Sequence, residues 1–432
     1  MPVEMIEPPA MTPKAQAAHQ SSFFRQSGWL MLTTFAGGLL MFAVHPLARA
    51  IGKAEYSLFG TLLVTVMLVP SGPLQMVLTQ QTARALATGR EGELAGMIRL
   101  IWLGLTGLWG GVALVVLLCQ GWILRLCGVD QAGALWVTLP IVLLGLWAPV
   151  FQGVLQGQQN FFWLGCSMIA NAVGRVAIAA ALVLVVGCGA LGMMGGVLAG
   201  TALAWAIAMW MTRSLWQRAT ARFNWPSILR QIIPLMLGFV FVQFLFSGDT
   251  MFVRHYFTGD ETGPYVSAGT LARAIIWAVM PLASVMFPRI VHSTARAEKT
   301  NLFGLVLLGT AVLTACGAAG VTLLGPWAVK VIFGRSFTDV AAQVLPWYAL
   351  AMVPLALANV LVNNLLARSQ FGVVPFTFLL AAAYAATMIT VNHVTHSLVA
   401  VLQTVGVFNC LLLGVCGWFT WRSRIQEPAP AG

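Results

Sequence analysis

The chain has 432 residues, of which 59% are hydrophobic and 8% charged, with a formal net charge of +11. A soluble domain carries roughly a quarter of its residues as charges, so this composition excludes a water-soluble globular protein and indicates a polytopic membrane protein. The surplus of Lys and Arg is what membrane insertion leaves on cytoplasmic loops, and no basic run has the interleaved aromatics of a nucleic-acid surface, so nucleic acid is not an expected partner.

Residues 1–22 are polar and Pro-rich and lack the charged-then-apolar order of a signal peptide, which reads as a disordered cytoplasmic tail. A membrane span needs about 20 mostly apolar residues. On that basis the first half holds spans near 27–48, 57–79, 97–119, 135–156, 163–186 and 190–211. A basic stretch, 212–230, follows; with Met211 and Gln231 it contains Arg213, Arg218, Arg222 and Arg230, no acid, and Trp216 and Trp225. It has the composition of a cytoplasmic loop and reads as the linker between two bundles. The second half holds spans near 231–253, 265–287, 303–325, 340–366, 372–391 and 396–420, then a tail from 422 to 432. The expected fold is therefore all-α, with twelve transmembrane helices in two six-helix lobes, 23–211 and 231–421.

With the N-terminus cytoplasmic, fifteen of the 23 Lys and Arg fall on the cytoplasmic side and six on the other, leaving Arg175 and Arg273 within spans. Both termini are thus expected to be cytoplasmic. The seven cysteines show no metal spacing and mostly sit in apolar runs; Cys119 and Cys127 flank one short loop, but the odd total argues against a disulfide framework. No metal site and no cofactor are expected.

The halves resemble each other. Thr82-Ala83-Arg84-Ala85 after span 2 recurs as Thr294-Ala295-Arg296-Ala297 after span 8, and Pro140 and Pro149 of span 4 match Pro346 and Pro354 of span 10. Each of these latter spans runs into a Gln-bearing loop. Six spans per half make the repeats parallel, about an axis along the membrane normal. Pro70 and Pro73 in span 2, and Pro281 and Pro288 in span 8, are expected to break or hinge their helices, because proline removes a backbone donor and kinks the chain. Interrupted spans at matching positions are a mark of a rocking transporter.

Of twelve acids, Asp249 alone falls inside a span. A charge at that depth costs at least a few kcal/mol and faces a cavity or a partner. One reading pairs Asp249 with Arg273 or Arg254 as a lock between helices. The other has Arg273, Arg175 and Arg49 presenting cations to an anionic substrate, since guanidinium matches phosphate oxygens. Asp249 and His45, which precedes Pro46, are the candidates for ion coupling, although a satisfied histidine at the membrane interface is the plainer reading of His45. Gly192, Gly196 and Gly200 form a smooth ridge for helix packing. Enzyme readings lack their parts: the chain has no GxxxxGK[ST], HExxH or GxSxG, and no large acid-bearing loop.

The segment Pro46-Leu-Ala-Arg49-Ala-Ile-Gly52-Lys-Ala-Glu55-Tyr56-Ser-Leu-Phe59-Gly60 resembles the connection between spans 1 and 2 of bacterial polysaccharide flippases. Leu155-Gln156-Gly157 with Phe161, and Gly248-Asp249 through Phe257-Thr258-Gly259 to Gly263-Pro264-Tyr265-Val266-Ser267-Ala268, are similar to later signatures of the same family. The family is that of the Wzx-like oligosaccharide flippases, in the multidrug/oligosaccharidyl-lipid/polysaccharide (MOP) exporter superfamily. One departure is Asp249-Thr250, where the family often has Asp-Arg. The resemblance implies a V-shaped pair of lobes around a cleft lined by spans 1, 2, 7 and 8, with Arg49, Asp249 and Arg273 on cleft-lining spans. It also implies a bacterial inner-membrane protein that flips undecaprenyl-diphosphate-linked oligosaccharides by alternating access. Its partners would be membrane lipid, the lipid-linked glycan, and a polysaccharide polymerase and co-polymerase. A cation-coupled multidrug antiporter of the same superfamily and a membrane polysaccharide polymerase or ligase are the alternatives.

Overall fold

The computed structural model describes residues 13–126, 132–221, 225–295, 302–367 and 370–426, and no strand occurs among them. In chain order the helices are α1 (Pro13–Phe42), α2 (Ala48–Met67), α3 (Ser71–Ala87), α4 (Glu91–Leu118), α5 (Gln120–Leu126), α6 (Ala132–Gly157), α7 (Phe161–Leu184) and α8 (Gly189–Met211). After the short α9 (Arg213–Trp216) come α10 (Trp225–Ser247), α11 (Asp249–Tyr256), α12 (Gly259–Ala295), α13 (Leu302–Ile332), α14 (Thr338–Ala367), α15 (Val374–Thr395) and α16 (Leu398–Gln426).

Ten stretches of the described residues are long and apolar enough to cross a membrane. The longest, Gly28–Ala87, has 60 residues and carries α1, α2 and α3. Straight, it would reach about 90 Å at helical rise, against a hydrocarbon layer of about 30 Å, so it must turn back. Past the 3-10 turn His45–Leu47, the backbone leaves helical geometry at Gly52, with φ 81 and ψ 175. α12, which carries Asp260, Glu261, Arg273 and Arg289, falls outside the ten.

The two halves pack by one plan. In the first, α1 packs on α7, α3 and α4 on α6, α6 on α8, and α7 on α8. In the second, α10 packs on α15, α12 and α13 on α14, α14 on α16, and α15 on α16. Each pairing joins equivalent spans, so the parallel repeat read from tetrapeptides and prolines has a counterpart in three dimensions. The Arg296–Ala297 part of the second tetrapeptide lies outside the described residues, as does Cys127. Small residues set the closest approaches within the first lobe. A Cβ on Gly196 or Gly200 would stand 2.4 Å from the Arg175 carbonyl oxygen or 2.3 Å from that of Asn171, so α8 lies directly on the backbone of α7.

Three boundaries differ from those expected; residues 422–426, read as tail, continue α16. Residues 13–22, read as disordered tail, continue α1; the run Lys14-Ala-Gln-Ala-Ala18 is a good helix former and extends a helix already nucleated by the span. Within 212–230, α10 begins at Trp225. The start of this linker is also tied down. Arg99 donates from Nε to the Trp216 carbonyl and from Nη2 to that of Arg218, each at 2.7 Å. Arg218 pairs with Glu91, and the Ala221 amide donates to the Gly92 carbonyl at 3.0 Å. We call this end the near face.

The prolines act differently from one another. Span 2 is broken where Pro70 precedes α3, and Pro73 falls in the first turn of α3, where a missing amide costs nothing. α12 runs as one helix through Pro281 and Pro288, and α6 and α14 run through their internal prolines. α10 and α11 meet at Gly248, whose backbone stays helical (φ −65, ψ −24) and whose amide donates to the Phe244 carbonyl at 2.7 Å. A Cβ there would meet the Phe244 carbonyl oxygen at 2.6 Å.

The lobes join through α2 against α11 and α12, and α3 against α10. Many of the contacts cluster at the end opposite the linker, the far face. Lys53 pairs with Asp260 at 3.3 Å, Arg254 donates to the Ala54 carbonyl at 3.3 Å, and Arg49 donates to that of Lys330 at 3.4 Å. Deeper in, a Cβ on Gly60 would press within 2.4 Å of Val266.

Candidate functional site

The second half supplies a fully enclosed ion pair. Asp249 opens α11 and is 1% exposed; Arg273 reaches it from α12 and is 8% exposed. Arg273 Nη2 donates to Asp249 Oδ1 at 2.7 Å and to Thr250 Oγ1 at 3.0 Å, while its Nε donates to the Phe246 carbonyl at 3.2 Å. The other carboxylate oxygen, Oδ2, accepts from Tyr265 at 2.6 Å and from Tyr348. Arg273 further lies over the rings of Phe246 and Tyr348, at 5.7 and 5.4 Å. A Cβ on Gly269 would stand 2.9 Å from the Tyr348 hydroxyl, so a glycine on α12 gives this tyrosine room to reach Asp249. Of the two readings of Asp249, this geometry matches the lock, with Arg273 as the partner.

The first half supplies a second polar group facing it. His45 Nδ1 and the Tyr56 hydroxyl are 2.8 Å apart, and Tyr56 lies 3.4 Å from Thr270 Oγ1 of α12. That last contact crosses between the lobes. Phe333 and Phe337 of the second lobe close over Tyr56 at ring distances of 5.3 and 5.9 Å. Gly52, with φ +81, makes the local backbone possible, because only glycine takes this conformation cheaply. It splits α2 so that Glu55 and Tyr56 serve different partners. Glu55 Oε2 accepts from the Ala190 amide at 2.8 Å, capping α8, and Tyr56 enters the interface.

Arg175 lies on α7 within electrostatic reach of both His45 and Tyr56, and its Nε is buried with no hydrogen-bond partner among the described residues. Tyr56 is also within reach of Arg273. Both guanidiniums therefore act electrostatically on one tyrosine hydroxyl at the lobe interface. Arg49 stands apart on the far face, on a cavity of about 490 Å³ with Lys330 and Arg335. Thus Asp249 and Arg273 are in contact, Arg175 and His45 gather around Tyr56, and Arg49 is separate. No group of three His, Cys, Asp or Glu suited to a metal occurs among the described residues.

Sequence reasoning missed the tyrosines. The chain has only five, against 16 Trp and 24 Phe, and Tyr56, Tyr265, Tyr348 and Tyr384 are wholly buried. Membrane proteins usually keep tyrosine at the interfaces, so scarce tyrosines inside spans were the available signal.

A family model described as "Polysaccharide biosynthesis protein" matches residues 23–294, more than half of the chain. The chain belongs to this family. A relative in Mycobacterium tuberculosis (strain ATCC 25618 / H37Rv), an uncharacterized protein, is 28% identical over 247 residues, which is 52% of this chain and 53% of that one. The chain thus matches about half the length of that relative. Among solved structures, an inward-facing multidrug resistance MATE family transporter of the MOP superfamily superposes with a TM-score of 0.70 at 13% identity, over 90% of this chain and 96% of the other. The lipid II flippase MurJ, in an inward closed conformation, gives 0.65 at 12% identity over 91% and 87%. A MOP superfamily transporter from Pyrococcus furiosus gives 0.62 at 15% identity over 92% and 94%. This member of the polysaccharide biosynthesis family therefore has the MOP transporter fold.

Proposed function

We propose that the protein carries a lipid-linked, diphosphate-bearing oligosaccharide across the bacterial inner membrane by alternating access, in the assembly of an exopolysaccharide or O-antigen. The observation that carries this reading is the buried polar seam between the lobes, where His45 and Tyr56 of the first meet Thr270 of the second and Arg175 and Arg273 both act electrostatically on Tyr56, in a chain of the polysaccharide biosynthesis family. The lobes are 23–211 and 231–421, joined by 212–230, with twelve passes and both termini in the cytoplasm. The fifteen-to-six distribution of basic residues supports that orientation.

Parting the lobes breaks the Tyr56–Thr270 contact and brings both guanidiniums to the cleft. The diphosphate then competes with Asp249 for Arg273, while Tyr265 and Tyr348 continue to hold the carboxylate. Arg175, with an unsatisfied Nε, gains a partner by the same step. The sugar crosses in the wetted seam and the polyprenyl chain stays in lipid. Asp249 and His45 are where a coupling ion would act: Asp249 sits in a buried charge and tyrosine network, and His45 in a hydrogen-bond chain that crosses to the second lobe. Pro70 and Pro73, with Pro281 and Pro288, flank the segments that must bend. A polymerase and co-polymerase would take the product.

The test uses purified protein in vesicles with a fluorescent polyprenyl-diphosphate oligosaccharide, read by accessibility to an impermeant glycosidase. Wild type should expose the inner-leaflet glycan well above the rate of protein-free vesicles, and Arg175→Gln should slow this at unchanged protein content. A rate equal to that of empty vesicles would refute the proposal. Cation-driven drug uptake would favour an antiporter, and glycan lengthening a polymerase or ligase.

A further inference from the structure

On the far face, away from the seam, Arg49, Lys330 and Arg335 line one cavity of about 490 Å³ together with Trp327, Val331 and Gly334. Arg49 belongs to the first lobe and the other residues to the second. No carboxylate lines this cavity, and none of the ion pairs among the described residues involves its three cations. The nearby acid Asp260 is already engaged by Lys53, and Glu261 accepts from Thr258. Cations do collect at a helix C-terminus, and α13 ends at Ile332. That dipole amounts to only about half a negative charge and Asp339, in the first turn of α14, adds one more, so three cations leave a positive excess.

A stripe of apolar side chains leads along α13 to this cavity. Leu323, Leu324, Trp327 and Val331 are 79%, 66%, 68% and 49% exposed, and their spacing puts them on one helix face. An exposed tryptophan beside basic residues is the pattern of a membrane–water boundary. A cationic pocket at the head of an apolar track fits a molecule with a phosphate at one end and an acyl chain at the other.

We propose that this cavity binds the phosphate of an anionic lipid headgroup, with its chain along α13. Because Arg49 comes from one lobe and Lys330 and Arg335 from the other, the site is complete only while the far face is joined, as it is here through the Arg49 bond to the Lys330 carbonyl. A ligand that binds one conformation shifts the equilibrium toward it, so the lipid holds the far face shut. This holds whatever cargo the seam carries.

The experiment takes the full-length protein in phosphatidylcholine nanodiscs with and without phosphatidylglycerol. It counts bound lipids by native mass spectrometry and follows hydrogen exchange over residues 48–55 and 332–338. Phosphatidylglycerol should be retained in preference to phosphatidylcholine and should slow exchange in both segments. The variant Lys330→Gln with Arg335→Gln removes two exposed cations, so the fold is retained, with an unchanged thermal midpoint in phosphatidylcholine as the check. At roughly five-fold per cation, its phosphatidylglycerol affinity should fall about twenty-five-fold and the exchange effect should vanish. Arg125→Gln, on the far face in α5 but outside the cavity, should leave both readouts unchanged. Equal losses in the Arg125 variant, or no loss in the double variant, would overturn the site. Binding of inorganic pyrophosphate in detergent without competition from phosphatidylglycerol would overturn the lipid assignment in favour of a soluble anion.

Discussion

Replacing Asp249 with Ala tests the enclosed ion pair directly. The substitution strands Arg273 at 8% exposure and takes the acceptor from Tyr265 and Tyr348, both wholly buried. Breaking a buried pair from one side costs about 3–5 kcal/mol, and each hydroxyl that loses a charged acceptor adds on the order of 1–3 kcal/mol. Against a typical stability of 5–15 kcal/mol, Asp249→Ala should lower the thermal unfolding midpoint sharply. Arg273→Leu is milder, because the carboxylate keeps two tyrosine donors. The double variant Asp249→Ala/Arg273→Leu removes the stranded guanidinium, and the two sites are in contact, so a coupling of about 2–3 kcal/mol is expected. Measured in one detergent at one scan rate, its midpoint should lie at or above that of Asp249→Ala alone. A double variant whose shift equals the sum of the two single shifts would refute the account, since the pair would then carry no interaction worth the name.

Two further outcomes follow from the packing. Gly200→Ala sets a methyl group 2.3 Å from the Asn171 carbonyl oxygen, so α7 and α8 must separate; a loss of about 1–3 kcal/mol, read as a lower unfolding midpoint, is expected, and Gly104→Ala, with nothing within 4 Å, should leave the midpoint unmoved. Tyr56→Phe keeps the ring stack but deletes the contact to Thr270 across the lobes; at about 0.5–1.5 kcal/mol, hydrogen exchange over residues 48–60 should quicken by roughly two- to ten-fold, and unchanged exchange would mean that the contact does not hold the lobes.

How much was legible in the sequence depended on the distance over which the cause acts. Spans could be found because each must bury its own backbone polar groups within about 20 apolar residues, which is a local property. The parallel repeat could be found because matched prolines and tetrapeptides keep their order along the chain. Breaks were harder to place. Pro70 marks a real helix end and Gly52, with φ +81, splits α2, yet α12 passes through Pro281 and Pro288. Proline disfavours a helix without forbidding it where neighbours re-satisfy the backbone, so proline position alone does not place a break.

The sequence by itself determined that this chain lives in a membrane, that its ends differ in basic charge, and that Asp249 and two span arginines needed partners. Burying a charge in hydrocarbon is costly wherever the rest of the chain goes, and so those needs could be read without a fold. Which partner each charge takes was decided only by tertiary structure. Asp249 meets Arg273 across 24 residues and Tyr348 across 99, and Tyr56 meets Thr270 across 214. Nothing in the local pattern encodes such separations, because they are set by how α2, α12 and α14 pack against one another.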